Sequence, residues 1–331
     1  MALDLNGPAL GSRVRAVFEQ GRLLALPTET VYGLAAPIDR PDLIARVFQL
    51  KGRPADNPLI VHVGTHEQAQ RVVSEWPEPA ESLSRAFWPG PLTLVLPRAA
   101  CISDAVTAGR DTVAVRMPDH PAALAVLRAL DVPLVAPSAN LFTCLSPTSA
   151  ADVEAVFSAD QVEIIDGGPC RVGIESTIAG IDSCRRTLQW LRPGMLERAE
   201  ILRHLPDGWR LEAPPDSEPE GQAGLAPGRM AAHYRPARPL HVHVCRDRGE
   251  CEHLAQGLEG DGLRSVVMLP EPAARAARTL YQTLRAADQA TTESIELLLP
   301  AEYLDHPAWE GVVNRLRKAA TRWLQTSASR F

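Results

Sequence analysis

Residues 50–62 read LKGRPADNPLIVH, and the order of residue types along this stretch sets the fold class. Upstream, residues 41–50 place Leu43, Ile44, Val47 and Phe48 on one face at helical spacing, with Asp39 before the start. Downstream, Asn57-Pro58 opens an apolar run over 59–63 that reads as a buried strand. A helix passing directly into a buried strand is a building unit of α/β layers. The loop between them carries Lys51, Arg53 and Asn57 and is stiffened by Pro54. Among 34 Lys and Arg residues there are two lysines, Lys51 and Lys318, so a lysine here stands out. An ammonium is a compact charge suited to phosphate oxygens, whereas guanidinium is a planar fork. These residues describe either an anion-binding loop or a charged, solvated connection, and the loop alone does not separate the two.

The neighbouring segments continue the pattern. Helices are expected over 14–19, 65–75, 79–87, 120–130, 149–157 and 196–205, and strands over 22–26, 92–96, 112–117, 133–136, 162–165, 175–178 and 187–191. In the strand over 112–117, Val113 and Val115 point one way while Thr112, Ala114 and Arg116 point the other. An arginine on the small-residue side of an apolar strand lines a cleft or sits at an edge. Several strands end in hydroxyl-rich turns, such as Pro27-Thr28-Glu29-Thr30 and Pro137-Ser138-Ala139-Asn140. The expectation is an α/β domain whose site is assembled from many loops.

With 331 residues the chain has room for two domains, and 45% hydrophobic with 22% charged content is ordinary for a globular protein. A net charge of −6 argues against extended coating of nucleic acid. The N-terminal stretch lacks a long apolar core, and no run approaches the ~18 residues of a membrane span, so a cytoplasmic protein without membrane contact is expected. Six cysteines without a CxxC pair read as free thiols. His241, His243 and Cys245 alternate onto one strand face, which allows a metal site or, more simply, the polar face of an edge strand.

Residues 206–228 hold five prolines, four glycines and five acidic residues, the composition of a stiffened linker. Strands over 240–245, 266–269 and 295–299 then alternate with helices over 252–258, 272–287 and 309–324. This describes a small parallel, Rossmann-like sheet without the GxGxxG of a dinucleotide site. The expected division is an α/β domain over 1–205, a linker over 206–237, and a C-terminal domain over 238–331.

No P-loop, GxSxG or HExxH motif occurs. What recurs is Ser or Thr beside a cation or glycine at strand ends, which individually reads as turn capping and collectively as a cradle for phosphate. PTETVYGL, KGRPADNPLIVH, WPGPLTLVL, TVAVRMPDHP, APSAN, SPT, DGGP, GIEST and LRPG stand in the order found in threonylcarbamoyl-AMP synthases, the YrdC-like family, and the chain resembles that family's long two-domain form. The resemblance implies a YrdC-like twisted mixed-sheet domain with an open cleft, joined to a small Rossmann-like C-terminal α/β domain. It implies condensation of L-threonine, bicarbonate or CO₂ and ATP into threonylcarbamoyl-AMP with release of pyrophosphate, for modification of tRNA beside the anticodon.

By the same resemblance, Thr30, His62, Arg116, Ala136 and Ser176 would hold threonine. Lys51, Arg53, Asn57, Thr112, Ser138, Ser146, Arg192 and Tyr234 would hold ATP, with Lys51 and Arg53 also catalytic. Mg²⁺ would accompany ATP without a protein motif of its own, and the tRNA threonylcarbamoyl-transfer proteins would be partners, with weak RNA binding besides. The segment around Tyr234 reads APGRMAAHYRP where the family has close to SPGMKYRHYAP, and residues 141–145 read LFTCL where a Ser-Gly pair is frequent. The rival readings are a double-stranded RNA or tRNA-binding module without adenylate synthesis, a hydrogenase-maturation carbamoyltransferase, and a non-catalytic YrdC-like homologue. The second lacks its accompanying modules here.

Overall fold

The helix–loop–strand unit of the opening stretch is present in the computed structural model, which describes residues 9–212, 233–259 and 262–325. Helix Pro41–Lys51 ends where Gly52 turns left-handed at φ 61°, a conformation glycine reaches without steric cost. The chain then enters a buried strand. Ten strands build one mixed sheet: β1 (Leu23–Leu26), β2 (Gly33–Pro37), β3 (Ile60–His62), β4 (Leu92–Pro97), β5 (Thr112–Arg116), β6 (Leu134–Val135), β7 (Val162–Ile164), β8 (Thr177–Asp182), β9 (Thr187–Arg192) and β10 (Arg210–Glu212). Their order is β10-β9-β8-β4-β5-β3-β6-β2-β1-β7.

The two faces of this sheet have different work. Val61, Val113, Val115, Leu94, Leu96 and Ala179 face the main core. There, helices Leu10–Glu19, Pro41–Lys51, Glu78–Phe87 and Pro121–Leu130 bury Val14, Phe18, Ile44, Val47, Leu83 and Val126 against them. The alternate residues Ile60, Val95, Ala114, Ile178 and Leu191 form a separate, small apolar cluster on the other face. The alternation read in β5 is therefore the division between core and cleft, and it puts Arg116 on the cleft side.

Several elements differ from expectation. β2, GLAAP, was not anticipated, because Gly, Ala and Pro have weak strand preference; it forms because β1 and β6 bracket it and every residue is buried. Glu175 and Ser176 precede β8 rather than lying in it. The helix expected over 196–205 is the shorter Arg198–Leu202. The stretch read as the start of the linker contributes β10, paired in parallel with β9. Residues 213–232 lie outside the described residues.

The second sheet is wholly parallel, with β11 (Leu240–Cys245), β12 (Arg264–Met268), β13 (Ser294–Pro300) and β14 (Arg322–Gln325) in the order β12-β13-β11-β14. The last helix stops at Ala319 instead of reaching Leu324, and Arg322–Gln325 adds a fourth strand. β11 is thus interior rather than an edge. His241 Nδ1 and His243 Nε2 lie 3.0 and 2.6 Å from the two carboxylate oxygens of Glu296, while Cys245 is buried with Cys251. Among the described residues no group of three or more His, Cys, Asp and Glu could hold a metal, and no helix is long and apolar enough to cross a membrane. All six cysteines are free.

Candidate active site

The cleft, about 580 Å³ counting the space open to solvent, lies where β3 and β5 end side by side. His62 pairs in register with Arg116, so two chemically distinct groups from sequence-distant strands stand together. Thr30, Arg53, His62, Arg116, Ala136, Ser138, Ser176, Arg192 and Tyr234 line it, all of them singled out from the sequence. Lys51, Asn57, Thr112 and Ser146 do not.

Lys51 has a structural task in this arrangement. Its ammonium is buried and donates to the carbonyls of Ser138 (2.5 Å) and Asn140 (2.7 Å). Burial, then the neighbouring Arg53, push its pKa well below the usual lysine value. Asn140 in turn donates to the carbonyls of Leu141 and Cys144, fixing the LFTCL loop. The lysine thus braces the loop that presents Ser138. Ser146 donates to Glu175 at 2.5 Å, and Thr112 sits half-buried at the outer end of β5, opposite Pro97. Asn57 is buried in the turn below Arg53, its carbonyl facing the arginine Nε at 3.4 Å.

Three arginines give the cleft its charge. Arg53 donates to the carbonyl of Pro58 (2.9 Å), and burial lowers its pKa to about 10, which leaves it cationic. Arg192 donates to the carbonyl (3.0 Å) and hydroxyl (3.1 Å) of Ser176. Arg116 forms an ion pair with Glu29 at 2.7 Å, both nearly inaccessible, and Glu29 also accepts from the backbone of Asp119. Burial, and then Arg116, depress the His62 pKa to about 3, so the imidazole is neutral. Its Nδ1 lies 3.2 Å from the Ile60 carbonyl, an acceptor, which requires the proton on Nδ1 and leaves Nε2 as an acceptor.

The roof comes from the far end of the linker. His233 and Tyr234 are both buried and line the cleft, with ring centroids 4.1 Å apart. Backbone bonds hold this strap on both sides: His233 N donates to Lys318 O (3.2 Å) and Arg235 N to Thr143 O (2.7 Å). Tyr234 and Thr143 are both left-handed, at φ 62° and 68°, a strain of about 1–2 kcal/mol each that these contacts sustain.

The sequence reading gave no role to Glu29, Glu175 and His233, which border the cleft or its braces. For the two acids the signal was present: an acid within each of PTET and GIEST, flanked by residues bound for burial, requires a cationic partner.

Residues 16–194 match a family model described as "Telomere recombination", and residues 194–321 one described as "Threonylcarbamoyl-AMP synthase, C-terminal domain". The chain is 34% identical to the threonylcarbamoyl-AMP synthase of Bacillus subtilis, over 96% of this chain and 94% of that protein. It is 38% identical to that of Pyrococcus abyssi, over 93% of each. Among solved structures, P. abyssi Sua5 complexed with L-threonine superposes with a TM-score of 0.85 at 35% identity, covering 96% of both chains. A variant of the same protein with a His and the following Tyr changed to Ala superposes at 0.84, with 34% identity over 98% of this chain and 96% of that one.

Proposed function

The chain belongs to the threonylcarbamoyl-AMP synthase family and synthesises threonylcarbamoyl-AMP, and we propose that it does so by holding ATP and L-threonine together in this cleft. The observation that carries the reading is a set of three arginines, Arg53, Arg116 and Arg192, at 8%, 4% and 5% exposure, facing one cleft beside a neutral histidine. Buried cations gathered around one cleft favour anionic ligands, since binding relieves their mutual repulsion.

In this reading Arg116 meets the threonine carboxylate and His62 Nε2 accepts from its hydroxyl or amine, with Thr30, Ala136 and Ser176 shaping the pocket. Arg53, Arg192 and Ser138 meet the nucleotide, whose phosphates lie toward the loop that Lys51 braces. Tyr234 closes over it and excludes water from a hydrolysable mixed anhydride. Threonine's amine adds to CO₂ with loss of a proton, or condenses with bicarbonate with loss of water, to give a carbamate. A carbamate oxygen then attacks the α-phosphorus, the bond to the β-phosphate oxygen breaks, and pyrophosphate leaves with both electrons. The residues act by position and charge. Glu175 on the cleft wall and Glu29 behind Arg116 are each committed to an arginine. Mg²⁺ would therefore travel on phosphate oxygens and supply further neutralisation there.

The product would serve threonylcarbamoyl modification of tRNA through transfer proteins, in the cytoplasm. Gripping duplex RNA without adenylate synthesis is disfavoured, because cations this deeply enclosed cannot reach a duplex backbone. The test is incubation with ATP, bicarbonate and isotope-labelled threonine. Labelled threonylcarbamoyl-AMP and threonine-dependent pyrophosphate are expected, and their absence overturns the reading.

A further inference from the structure

Glu175 is a buried carboxylate on the cleft wall whose partners come from both halves of the chain. Ser146, from the large sheet's loops, donates to it at 2.5 Å. The Tyr281 hydroxyl, on helix Ala273–Gln289, lies 2.9 and 3.2 Å from its two oxygens. Arg315, on helix Glu310–Ala319, donates Nε to the carboxylate at 2.9 Å and Nη2 to the Glu175 carbonyl at 2.9 Å, and also bonds the carbonyl of Pro193. Burial alone would push the Glu175 pKa up, yet Arg315, and after it Arg192, hold it at about 2.

Arg315 and Tyr281 are nearly inaccessible, so this is an ion pair with a phenol inside the junction between the two halves of the chain. Buried pairs of this kind are frequently no more stabilising than well-packed apolar residues. What this one does is fix geometry. Ser176 follows Glu175 directly, and Arg192 is held by the Ser176 carbonyl and hydroxyl. Arg315 also sits 5.6 Å over the Tyr234 ring, and the Tyr281 ring is 5.8 Å from Tyr234. Both the Ser176–Arg192 wall and the Tyr234 roof therefore rest on the same two side chains.

We propose that Arg315 and Tyr281 are positioning residues for adenylate formation, through which the C-terminal sheet and its helices complete the nucleotide side of the cleft. They neutralise and orient Glu175, and thereby set Ser176, Arg192 and Tyr234. The inference rests on the adenylate reading of the cleft. Without Arg315, an unpaired carboxylate faces the triphosphate, so ATP binding suffers more than threonine binding.

The test is steady-state pyrophosphate release with ATP and threonine varied separately. Arg315→Met should raise KM for ATP by about tenfold or more, as loss of a charge-assisted contact does, with a smaller change for threonine. Adding Glu175→Gln removes the unpaired charge and should return most of that loss, a rescue that general destabilisation would not give. Tyr281→Phe, which keeps the ring packing and so guards against misfolding, should raise KM for ATP by about threefold. An Arg315→Met or Tyr281→Phe protein with unchanged KM for ATP, or a double variant no better than Arg315→Met, overturns the inference. Adenylate production by the unaltered chain in the same assay separates this from the functional reading, which fails only if that production is absent.

Discussion

Gly311→Ala is the perturbation for which the geometry sets the sharpest expectation. Gly311 lies in the first turn of helix Glu310–Ala319, against the loop after β9. A Cβ there would collide with the Gly194 carbonyl oxygen and stand 2.8 Å from its carbon and 3.0 Å from Ile174 Cδ1. Carbon contacts are comfortable from about 3.5 Å, so helix and loop must part by roughly 0.7 Å or more. Overpacking of this kind costs about 1–3 kcal/mol, against a helix-propensity gain of at most ~1 kcal/mol. The expected net loss is about 1–2 kcal/mol in urea unfolding. Arg315 lies one turn further along the same helix, so KM for ATP should rise as well. Gly257→Ala is the control. It is also helical, but its Cβ meets nothing within 4 Å, and it should stabilise by about 0.5–1 kcal/mol. If the two alanines shift stability in the same direction, the close approach of helix and loop at Gly311 is refuted.

Lys51→Ala should lower adenylate formation by about two orders of magnitude with the fold intact, since it frees two carbonyls that orient the Ser138 loop; near-normal pyrophosphate release would contradict this. For pH, burial holds His62 and His233 at about 3, below the ~6.5 of an unfolded histidine. The unfolded chain binds the extra protons, so stability is fully present above pH ~6.5 and is lost as pH falls toward 3, by up to about 1.4 kcal/mol per unit for each histidine. Urea midpoints at pH 7 and pH 5 measure this, and a flat profile would count against neutral, buried imidazoles.

Local pattern revealed some of this molecule and physically could not reveal the rest. The alternation of Thr112–Arg116 was enough to put Arg116 on the face opposite the core, because a strand has one period and one hydrophobic face. The helix before Lys51 was legible for the same reason. β2 was illegible because its residues are strand-competent only between neighbours already in place. The helix that gives way to β14 shows the same limit: Arg322-Trp323-Leu324 fits either state, and pairing with β11 decides. The direction of the Lys51 ammonium depended on carbonyls almost ninety positions away. The Glu175–Arg315 pair spans 140 positions, a separation at which local periodicity carries no information.

The strap that carries His233 and Tyr234 is fastened by main-chain atoms, Lys318 O on one side and Thr143 O on the other. Such fastening does not read side chains. Side-chain substitutions at Arg235, Thr143 or Lys318 therefore leave the anchorage intact, provided no proline removes a donor at 233 or 235. The latch is written in the backbone, and only the rings it delivers are spelled in the sequence.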